Sequence, residues 1–420
     1  MKTRFALIGL LSVMLGACSS SPVMKEPSVL APIDSLYSLK KNWQVKTETM
    51  PSRDAEGLFF SEDEQNVYAA SAKGHVIALK KENTSRWIDQ VVWQTKFSSP
   101  IVSGPAKQGN HLIIGSAKGL LMSLSASTGQ IEWQTQLSSE VMSYAVIAEQ
   151  KVFTRTVDGK LYALDFETGD VIWVAEHKMP NLSLRGAPSV LYHEENLYVG
   201  WESGMIQALS AKSGALLWET RIAVPSGRTD LERMVDVQAS LVMKSNRLIA
   251  LGYHGKLVAI NPANGNFYFV KELSGYSDFV VDDEKIYVVD DQDVLFAFDL
   301  ANGSTLWTQT ALKNRLVGDL NFYKDDLLVS DSWGYLHWIN RIQGTESARV
   351  KHSNEYGDGN RILRVKVDDK TLTLLDGEGV ITHYNVEPSN LSLFKEEQTG
   401  NGFFETFLIN PFNAGTTNNE

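Results

Sequence analysis

The stretch Gly159-Lys-Leu-Tyr-Ala-Leu164, which leads to Gly169 and Trp173, contains the pattern that predicts the fold. A short apolar β-run is followed by a turn that ends in glycine, and then by a second strand centred on tryptophan. Glycine allows the positive φ of a tight turn, and tryptophan gives an outer strand a large apolar surface. The stretch therefore predicts two antiparallel strands, which we name C and D.

This pattern recurs, so the chain is an array of repeats. The other copies start at Gly74, Gly119, Gly204, Gly255, Asp293, Gly334 and Gly379. Phe269 takes the place of the tryptophan in one of them. Two further β-runs, A and B, precede each copy, as residues 144–147 and 152–156 do before Gly159. Each of the eight units is thus a four-stranded antiparallel meander of about 40–45 residues, the size of a propeller blade.

The eighth unit shows how a ring of blades closes. Its C strand, residues 380–384, is followed by Asn385-Val-Glu-Pro388 and not by a strand with tryptophan. Near the N-terminus, Asn42-Trp-Gln-Val-Lys46 has no A, B or C strand before it, and we expect it to pair into the last blade as strand D. Closure of this kind removes an open edge. The sequence thus predicts an all-β fold, an eight-bladed β-propeller of four-stranded antiparallel blades over residues 40–386, closed by an N-terminal strand.

The first 17 residues resemble a secretory signal peptide. Lys2 and Arg4 precede an apolar run that is too short to span a bilayer. The run ends in Leu15-Gly-Ala-Cys18, which resembles the lipobox of bacterial lipoproteins and makes Cys18 the expected lipid anchor. Ser19 in place of aspartate resembles the sorting pattern for the outer membrane, so we expect a lipoprotein that faces the periplasm. Residues 18–39, rich in Ser and Pro, should form a flexible tether, and residues 387–420 a partly disordered extension.

Composition indicates a soluble body that is stabilised by packing. Cys18 is the only cysteine, so after acylation neither a disulfide nor a thiolate metal site can form. Loss of residues 1–17 removes two positive charges and no acid, and the formal net charge goes from −11 to −13. This charge argues against binding to nucleic acid and against a basic membrane-binding face.

The sequence contains no pattern that is typical of an enzyme. The eight histidines are scattered, with no His-Glu-x-x-His, no Gly-x-Ser-x-Gly and no phosphate-binding glycine loop. Acidic pairs and triplets recur at the predicted A–B turns, as at residues 62–64 and 282–284, and this repetition favours solvated turns over a metal site. Residues 290–293 differ, because they form an acidic B–C turn in which Asp293 replaces glycine; they are a weak candidate for a cation site. We predict no catalytic residue, no metal and no cofactor.

The repeat Ala-Leu-x-x-x-x-Gly-x-x-x-Trp resembles that of pyrroloquinoline-quinone dehydrogenase propellers, a group that also has non-enzymatic members. Eight such units behind a lipobox resemble the BamB family, the propeller lipoproteins of the β-barrel assembly machinery in Gram-negative outer membranes. Two segments are more specific than the repeat. Asn181-Leu-Ser-Leu-Arg-Gly186 resembles a loop of that family, and Gly334-Tyr-Leu-His-Trp-Ile-Asn340 resembles its seventh blade.

The resemblance implies a partner, the outer-membrane protein BamA, which is contacted through its periplasmic POTRA domains. It also implies a role in the insertion of outer-membrane proteins, whose unfolded chains are potential further partners. By similarity, Leu182, Leu184 and Arg185 belong to the contact with BamA. The family's second contact loop carries Asp-Val-Asp, whereas this chain has Asp236-Val-Gln238, so one acidic position is kept and one is lost.

Blade geometry places these segments on one face of the disc. In a propeller, the A–B and C–D turns emerge on one face, and the B–C turns and D–A connections on the other. Leu182, Leu184 and Arg185 lie in the connection from blade three to blade four, and Asp236 lies in the next connection. Two exposed leucines beside an arginine form a plausible hot spot for a protein partner. The alternative is that the leucines fold back beneath the loop as core residues.

Three classes of function are compatible with these features. The first, which we favour, is a non-enzymatic scaffold of the assembly machinery. The second is a quinone-dependent dehydrogenase, which needs a tryptophan floor, calcium ligands and, in many members, a cysteine pair that this chain cannot form. The third is a periplasmic ligand-binding propeller with an aromatic central funnel. Trp201, Trp333 and Trp338 could contribute to such a funnel, although packing within the repeats is the simpler role for them.

Overall fold

A computed structural model describes residues 26–46, 60–82, 90–180, 182, 189–230, 232–352 and 361–389. Within these ranges the chain forms 32 strands, which pair into eight four-stranded antiparallel sheets. Each sheet is one blade. The predicted all-β propeller with eight blades is therefore confirmed. Among the described residues, none forms a helix with the length and apolar character needed to cross a bilayer.

Blades one to four each consist of four consecutive strands, A to D. Their bounds, in chain order, are Phe60–Glu62 (β2), Asn66–Ala70 (β3), His75–Lys80 (β4) and Val91–Lys96 (β5); Ile101–Gln108 (β6), His111–Ser116 (β7), Leu120–Ser125 (β8) and Ile131–Gln136 (β9); Val146–Ala148 (β10), Lys151–Thr156 (β11), Lys160–Asp165 (β12) and Val171–Glu176 (β13); Leu191–His193 (β14), Asn196–Gly200 (β15), Met205–Ser210 (β16) and Leu216–Arg221 (β17).

Blades five to seven repeat this arrangement, and blade eight combines three C-terminal strands with the first strand of the chain. The bounds are Val242–Lys244 (β18), Arg247–Leu251 (β19), Lys256–Ile260 (β20) and Phe267–Glu272 (β21); Val280–Val281 (β22), Lys285–Val289 (β23), Leu295–Asp299 (β24) and Thr305–Gln309 (β25); Leu320–Tyr323 (β26), Asp326–Ser330 (β27), Tyr335–Asn340 (β28) and Glu346–Lys351 (β29); Ile362–Asp368 (β30), Thr371–Asp376 (β31), Val380–Pro388 (β32) and Tyr37–Lys46 (β1).

The burial of the strands follows their place in the blade. Strand β12, a C strand, is buried at its four central residues, whereas the D strand β13 alternates between exposed and half-buried residues. The two middle strands of a blade are covered by neighbouring blades on both faces, which explains their continuous Val, Ile, Leu and Ala content. The core therefore consists of apolar clusters between successive blades and not of one central nucleus.

The repeated tryptophan joins most blades to the next one. In blade two, the indole Nε1 of Trp133 donates a hydrogen bond to the carbonyl of Phe166 in blade three, at 2.9 Å. The same contact recurs at 2.7–3.2 Å around the ring, between Trp93 and Ala126, Trp173 and Ala211, Trp218 and Pro262, and Trp307 and Arg341. The fixed spacing in the sequence thus reflects a specific contact between blades.

The glycine before each tryptophan strand serves two purposes. Gly169 has a φ of +73°, as the turn prediction requires. In addition, a Cβ atom at Gly169 would lie 2.5 Å from Cε3 of Trp133 in the preceding blade, because the indole ring lies against the glycine backbone. Gly303 is packed in the same way against Phe269, the residue that replaces tryptophan. The tight approach of ring and backbone excludes any side chain at this position.

Ring closure occurs as the sequence predicted. Strand β1 pairs antiparallel with β32, with Trp43 opposite His383, so the N-terminal strand is the outer strand of blade eight. The indole Nε1 of Trp43 donates to the carbonyl of Lys81 in blade one, at 2.8 Å. The last blade is therefore joined to the first by the same contact that the other tryptophan-bearing blades make with their neighbours.

Two details of the repeat differ from the sequence-based expectation. At the B–C turn of blade five, the positive φ belongs to His254 (+47°) and not to Gly255, because the turn is shifted by one residue. The propeller also starts earlier than residue 40 and ends later than residue 386, since β1 begins at Tyr37 and β32 ends at Pro388. The predicted boundaries were therefore a few residues too narrow.

The tether prediction needs a larger correction. Residues 26–36, expected to be part of a flexible tether up to residue 39, lie against blades six and seven and form hydrogen bonds there. The composition of this segment, rich in small residues and proline, predicted a free linker. The segment is held mainly through its main chain, and such contacts leave no signal in the choice of side chains. The signal peptide, Cys18 and residues 390–420 lie outside the described residues.

Candidate docking face

The B–C turns and D–A connections form one face of the disc, which we call the D–A face. The connections that follow blades three and four start against the same B–C turn, in blade four. His177 Nε2 lies 2.8 Å from Ser203 Oγ, and the N–H of Ile222 donates to the carbonyl of Gly204 at 2.9 Å. Where they are described, the two predicted contact loops are therefore neighbours.

A stack of three side chains supports the start of the first loop. The ring of Trp201 lies between the imidazole of His177, at 4.5 Å, and the guanidinium of Arg155, at 4.2 Å. Arg155 is fully buried and pairs with both carboxylate oxygens of Glu202, at 2.9 and 2.7 Å. Burial and then the charge of Arg155 lower the pKa of His177, which favours the neutral ring. The stack thus packs the start of the first connection, at His177, against Trp201 of blade four.

Leu182 is exposed on this loop, with 48 % of its surface accessible. This favours the hot-spot interpretation over the alternative in which the leucine is packed in the core, at least for this residue. Leu184 and Arg185 lie outside the described residues, so their predicted contact role stays a prediction. An apolar side chain of this size, exposed on a supported loop, is suited to insertion into a pocket on a partner protein.

Asp236 is buried, whereas a contact residue should be exposed. It is only 1 % exposed, and its main chain forms an isolated bridge with Tyr253, with N···O distances of 2.8 and 3.4 Å. Its neighbours Val235 and Val237 are also buried. The sequence could not show this, because an acidic residue in a long connection is normally exposed. In this structure Asp236 can shape the second loop, but it does not present its carboxylate to a partner.

An aromatic cluster beside the second loop was not predicted from the sequence. The rings of Tyr253 and His254 stack at 4.0 Å, and Tyr276 meets Tyr253 edge to face at 6.2 Å. His254 Nδ1 lies 2.9 Å from the carbonyl of Met234 in the second loop. Val224, at the start of that loop, is 64 % exposed. The cluster combines the B–C turn of blade five with the connection that leads from blade five to blade six, and the only hint in the sequence is a tyrosine in a B–C turn.

The acidic turns behave as structural elements where they are described. Asp293, at φ +62°, accepts hydrogen bonds from the main-chain N–H groups of Leu316 and Val317, each at 2.9 Å. Its carboxylate therefore fixes the connection between blades six and seven. No group of three or more His, Cys, Asp or Glu residues suited to a metal ion occurs in the described part of the chain.

Two of the three tryptophans considered for a central funnel belong to the packing between blades. Trp201 and Trp338 are 1 % and 0 % exposed, and they lie in different apolar clusters. Trp333 is half-buried in the B–C turn of blade seven, where the guanidinium of Arg315 lies 5.2 Å from its ring. Their simpler role, packing, is the one that the structure shows for Trp201 and Trp338.

Comparison with known proteins identifies relatives in sequence and in fold. A family model described as outer membrane protein assembly factor BamB matches residues 73–309. Outer membrane protein assembly factor BamB of Escherichia coli K12 is 35 % identical over 359 residues, covering 83 % of this chain and 91 % of that protein. The protein of the same name from Legionella pneumophila strain Paris is 38 % identical over 320 residues, covering 76 % of this chain and 81 % of its own length.

Solved structures agree on the architecture. BamB from Moraxella catarrhalis superposes with a TM-score of 0.72 at 24 % identity, over 83 % of this chain and all of that chain. Quinohemoprotein alcohol dehydrogenase from Comamonas testosteroni superposes with a TM-score of 0.62 at 12 % identity, over 83 % of this chain and 76 % of that one. At these identities the superpositions show the fold alone. The family model and the sequence relatives show that this chain belongs to the BamB family of outer membrane protein assembly factors.

Proposed function

We propose that this protein is a non-enzymatic scaffold lipoprotein of the outer-membrane β-barrel assembly machinery. It is held at the outer membrane by a lipid on Cys18, faces the periplasm, and docks onto the POTRA domains of a BamA-like protein. Its part in the insertion of outer-membrane proteins is to hold components of the machinery in place. Membership of the BamB family and the lipobox support this proposal.

The observation that carries the docking proposal is the exposure of Leu182 in the connection between blades three and four. A large apolar side chain that is exposed in the free protein gains free energy when a partner removes it from water, so it is suited to act as an anchor. The stack of His177, Trp201 and Arg155 packs the start of this connection against the propeller. Leu184 and Arg185 extend the same contact, with the arginine as a charged group that orients the partner.

The second loop contributes shape and apolar surface. Because its carboxylate is enclosed, Asp236 acts as a positioning residue that fixes the main chain opposite Tyr253. Val224 and the aromatic cluster of Tyr253, His254 and Tyr276 offer further contact area on the same face. Tyrosine is enriched among hot-spot residues, since it is large, rigid and amphipathic.

A pull-down from solubilised envelopes tests the proposal. The full-length protein carries an affinity tag, and co-purified proteins are identified by mass spectrometry. The double variant Leu184→Ala/Arg185→Ala should lose a POTRA-containing partner and keep the thermal transition of the parent. The control is Leu217→Ala, which truncates an exposed leucine on the outer strand of blade four.

Each result has a clear meaning. If the double variant still co-purifies its partner at the parent level, the proposed contact is wrong for this protein. If it loses the partner and also unfolds, these residues belong to the core. If the control loses the partner as well, docking does not use the D–A face specifically.

A further inference from the structure

Residues 26–36, which we call the strap, start at the D–A face. The N–H and hydroxyl groups of Ser28 both donate to the carbonyl of Lys313, at 3.0 and 2.9 Å. The carbonyl of Glu26 accepts a hydrogen bond from Asn314 Nδ2 at 3.2 Å. Lys313 and Asn314 belong to the D–A connection between blades six and seven. The N-terminal chain therefore meets the propeller on the same face as the proposed docking loops.

The strap then follows the outer strand of blade seven to the opposite face. The Ser35 hydroxyl accepts a hydrogen bond from the N–H of Arg349 at 3.1 Å, and the N–H of Leu36 donates to the carbonyl of Ser347 at 3.2 Å. Ser347 is the second residue of β29, at the end of the strand that lies near the C–D turn. The strap thus crosses the height of the disc before it continues into β1.

Two arginines bind the backbone of the strap. Arg315 Nη1 donates to the carbonyl of Ser28 at 2.9 Å, and Arg349 Nη1 donates to the carbonyl of Ala31 at 2.8 Å. Their side chains are 6 % and 11 % exposed; the bond from Arg315 is partly buried, whereas the bond from Arg349 to Ala31 lies at the surface. Hydrogen bonds from a charged donor are stronger than neutral ones, particularly where water is excluded.

A continuous network of buried charges orients these arginines. Arg315 Nε donates to Asp331 Oδ2 at 2.7 Å, and Arg349 Nε donates to Glu346 Oε1 at 2.9 Å. His337 joins the two pairs, since its Nε2 lies 3.3 Å from Asp331 Oδ2 and its Nδ1 lies 2.6 Å from Glu346 Oε1. The two binding points on the strap therefore depend on one connected set of side chains.

Apolar contacts complete the attachment. Leu30 packs against the cluster between blades six and seven, which includes Val317. Next to the strap, Tyr37 lies 5.5 Å from Trp338, in the cluster that contains Ala348. Ala348 occupies the position where other blades carry tryptophan, so the chain that follows the strap supplies apolar surface that blade seven lacks.

We infer that the strap makes the D–A face, at blades six and seven, the surface that is held toward the lipid bilayer. This rests on the proposed function, in which Cys18 carries the lipid. Eight residue steps separate Cys18 from Glu26, which can span at most about 27 Å, whereas a tether free up to Leu39 could span about 70 Å. The proposed docking loops share this face, so the partner must present its contact surface near the membrane.

Energy transfer to a labelled bilayer tests the inference. The lipidated full-length protein is bound to liposomes that carry acceptor dyes on their head groups. Because Cys18 is the only cysteine and is acylated, a single introduced cysteine takes the donor dye. Lys313→Cys reports on the D–A face, and Asp325→Cys reports on the opposite face of the same blade. We expect at least twofold more efficient transfer from position 313.

Two strap variants provide the matched comparison. Leu30→Asp places a charge in the apolar cluster and should release the strap, which makes the transfer from positions 313 and 325 similar. Val29→Asp changes a residue that is 95 % exposed and should leave the difference intact. Equal transfer from both positions with the parent strap would overturn the inference, as would a persistent difference in Leu30→Asp.

Failure of the lipid anchor can be told apart from failure of the strap. If the protein does not bind liposomes at all, the proposed function is wrong in its anchor. The contacts of the strap with the propeller are then tested in solution, by measuring amide hydrogen exchange in the Cys18→Ser protein. Protection of the Ser28 and Leu36 amides by more than tenfold supports the strap, and exchange at the rate of an unfolded chain contradicts it.

Discussion

The indole Nε1 of Trp43 donates a hydrogen bond to the main-chain carbonyl of Lys81, 2.8 Å away, and so joins the last blade to the first. The residues are only 38 positions apart, but Trp43 is in blade eight and Lys81 follows a strand of blade one. The ring of Trp43 also stacks on that of His383, its cross-strand neighbour, with the ring centroids 5.4 Å apart. The stability of the closed ring should therefore depend on this side chain.

Trp43→Ala should lower the free energy of unfolding by about 3–5 kcal/mol, because it removes a large buried ring and leaves a cavity between blades. Trp43→Phe should cost less, about 1–3 kcal/mol, since it keeps an apolar ring but leaves the Lys81 carbonyl unpaired. Phe269 shows that phenylalanine fits this position in another blade. Urea denaturation followed by circular dichroism measures both values. Equal stability of Trp43→Ala and the parent would refute this account of ring closure.

Gly169→Ala should destabilise the protein more than Gly109→Ala. Both glycines have positive φ, +73° and +56°, so alanine is strained at either position. Only at Gly169 would the new Cβ also collide with Trp133, whereas nothing lies within 4 Å at Gly109. We expect an additional loss of about 1–3 kcal/mol for Gly169→Ala, the usual cost of overpacking. Thermal or urea unfolding of the pair checks this, and equal losses would show that the ring contact is unimportant.

The pH dependence of stability should report the network around His337. Burial acts to lower the pKa of His337, but its contacts with Asp331 and Glu346 outweigh burial and raise it. Protonated His337 therefore stabilises the fold fully below the ordinary histidine pKa of about 6.5, and this stabilisation is lost as the pH rises through the raised folded pKa.

Asp331 and Glu346 determine how the stability changes at acidic pH. Burial would raise the pKa of Asp331 and of Glu346, but the contacts with His337 prevail and the pKa of each is lowered. Their contribution is present above the ordinary carboxyl pKa and is lost as the pH falls through the lowered values. His337→Gln should remove about 1.5–3 kcal/mol near pH 6 and flatten the decline at alkaline pH. An unchanged profile of unfolding free energy against pH would contradict this assignment.

Cys18→Ser should abolish labelling of the protein by palmitate and release it from the membrane fraction. The physical reason is that several acyl chains are needed for stable anchoring, and the described residues offer no helix that could replace them. Metabolic labelling and fractionation of cells measure both effects. Retained labelling in this variant would show that the lipid is attached elsewhere.

The fold could be predicted because its key contacts repeat. The glycine of the C–D turn meets the aromatic ring of the preceding blade, in most blades a tryptophan, so one physical constraint appears many times in the sequence. The displaced copy at Trp43 was recognisable for the same reason. The strap was not predictable, because Arg315 and Arg349 bind carbonyl groups that every residue possesses, and nothing in the identity of Ser28 or Ala31 indicates this role.

The candidate site was only partly predictable. Leu182 is exposed as expected, since its loop lies at the surface. Asp236 is enclosed, and the cluster of Tyr253, His254 and Tyr276 was missed. In both cases the outcome depends on how connections from different blades pack together, which has no periodic signal in the sequence. Resemblance to a family can indicate which loops matter, but it does not show which side chains face solvent.

The affinity of the protein for purified POTRA domains of its BamA-like partner tests the central claim most directly. Leu182→Ala should weaken binding about thirtyfold, as expected for loss of about 2 kcal/mol at a desolvated anchor. Leu217→Ala, a leucine of similar exposure on the outer rim, should change the dissociation constant less than twofold. Equal affinity of Leu182→Ala and the parent, or equal weakening by both substitutions, would contradict docking through the D–A face.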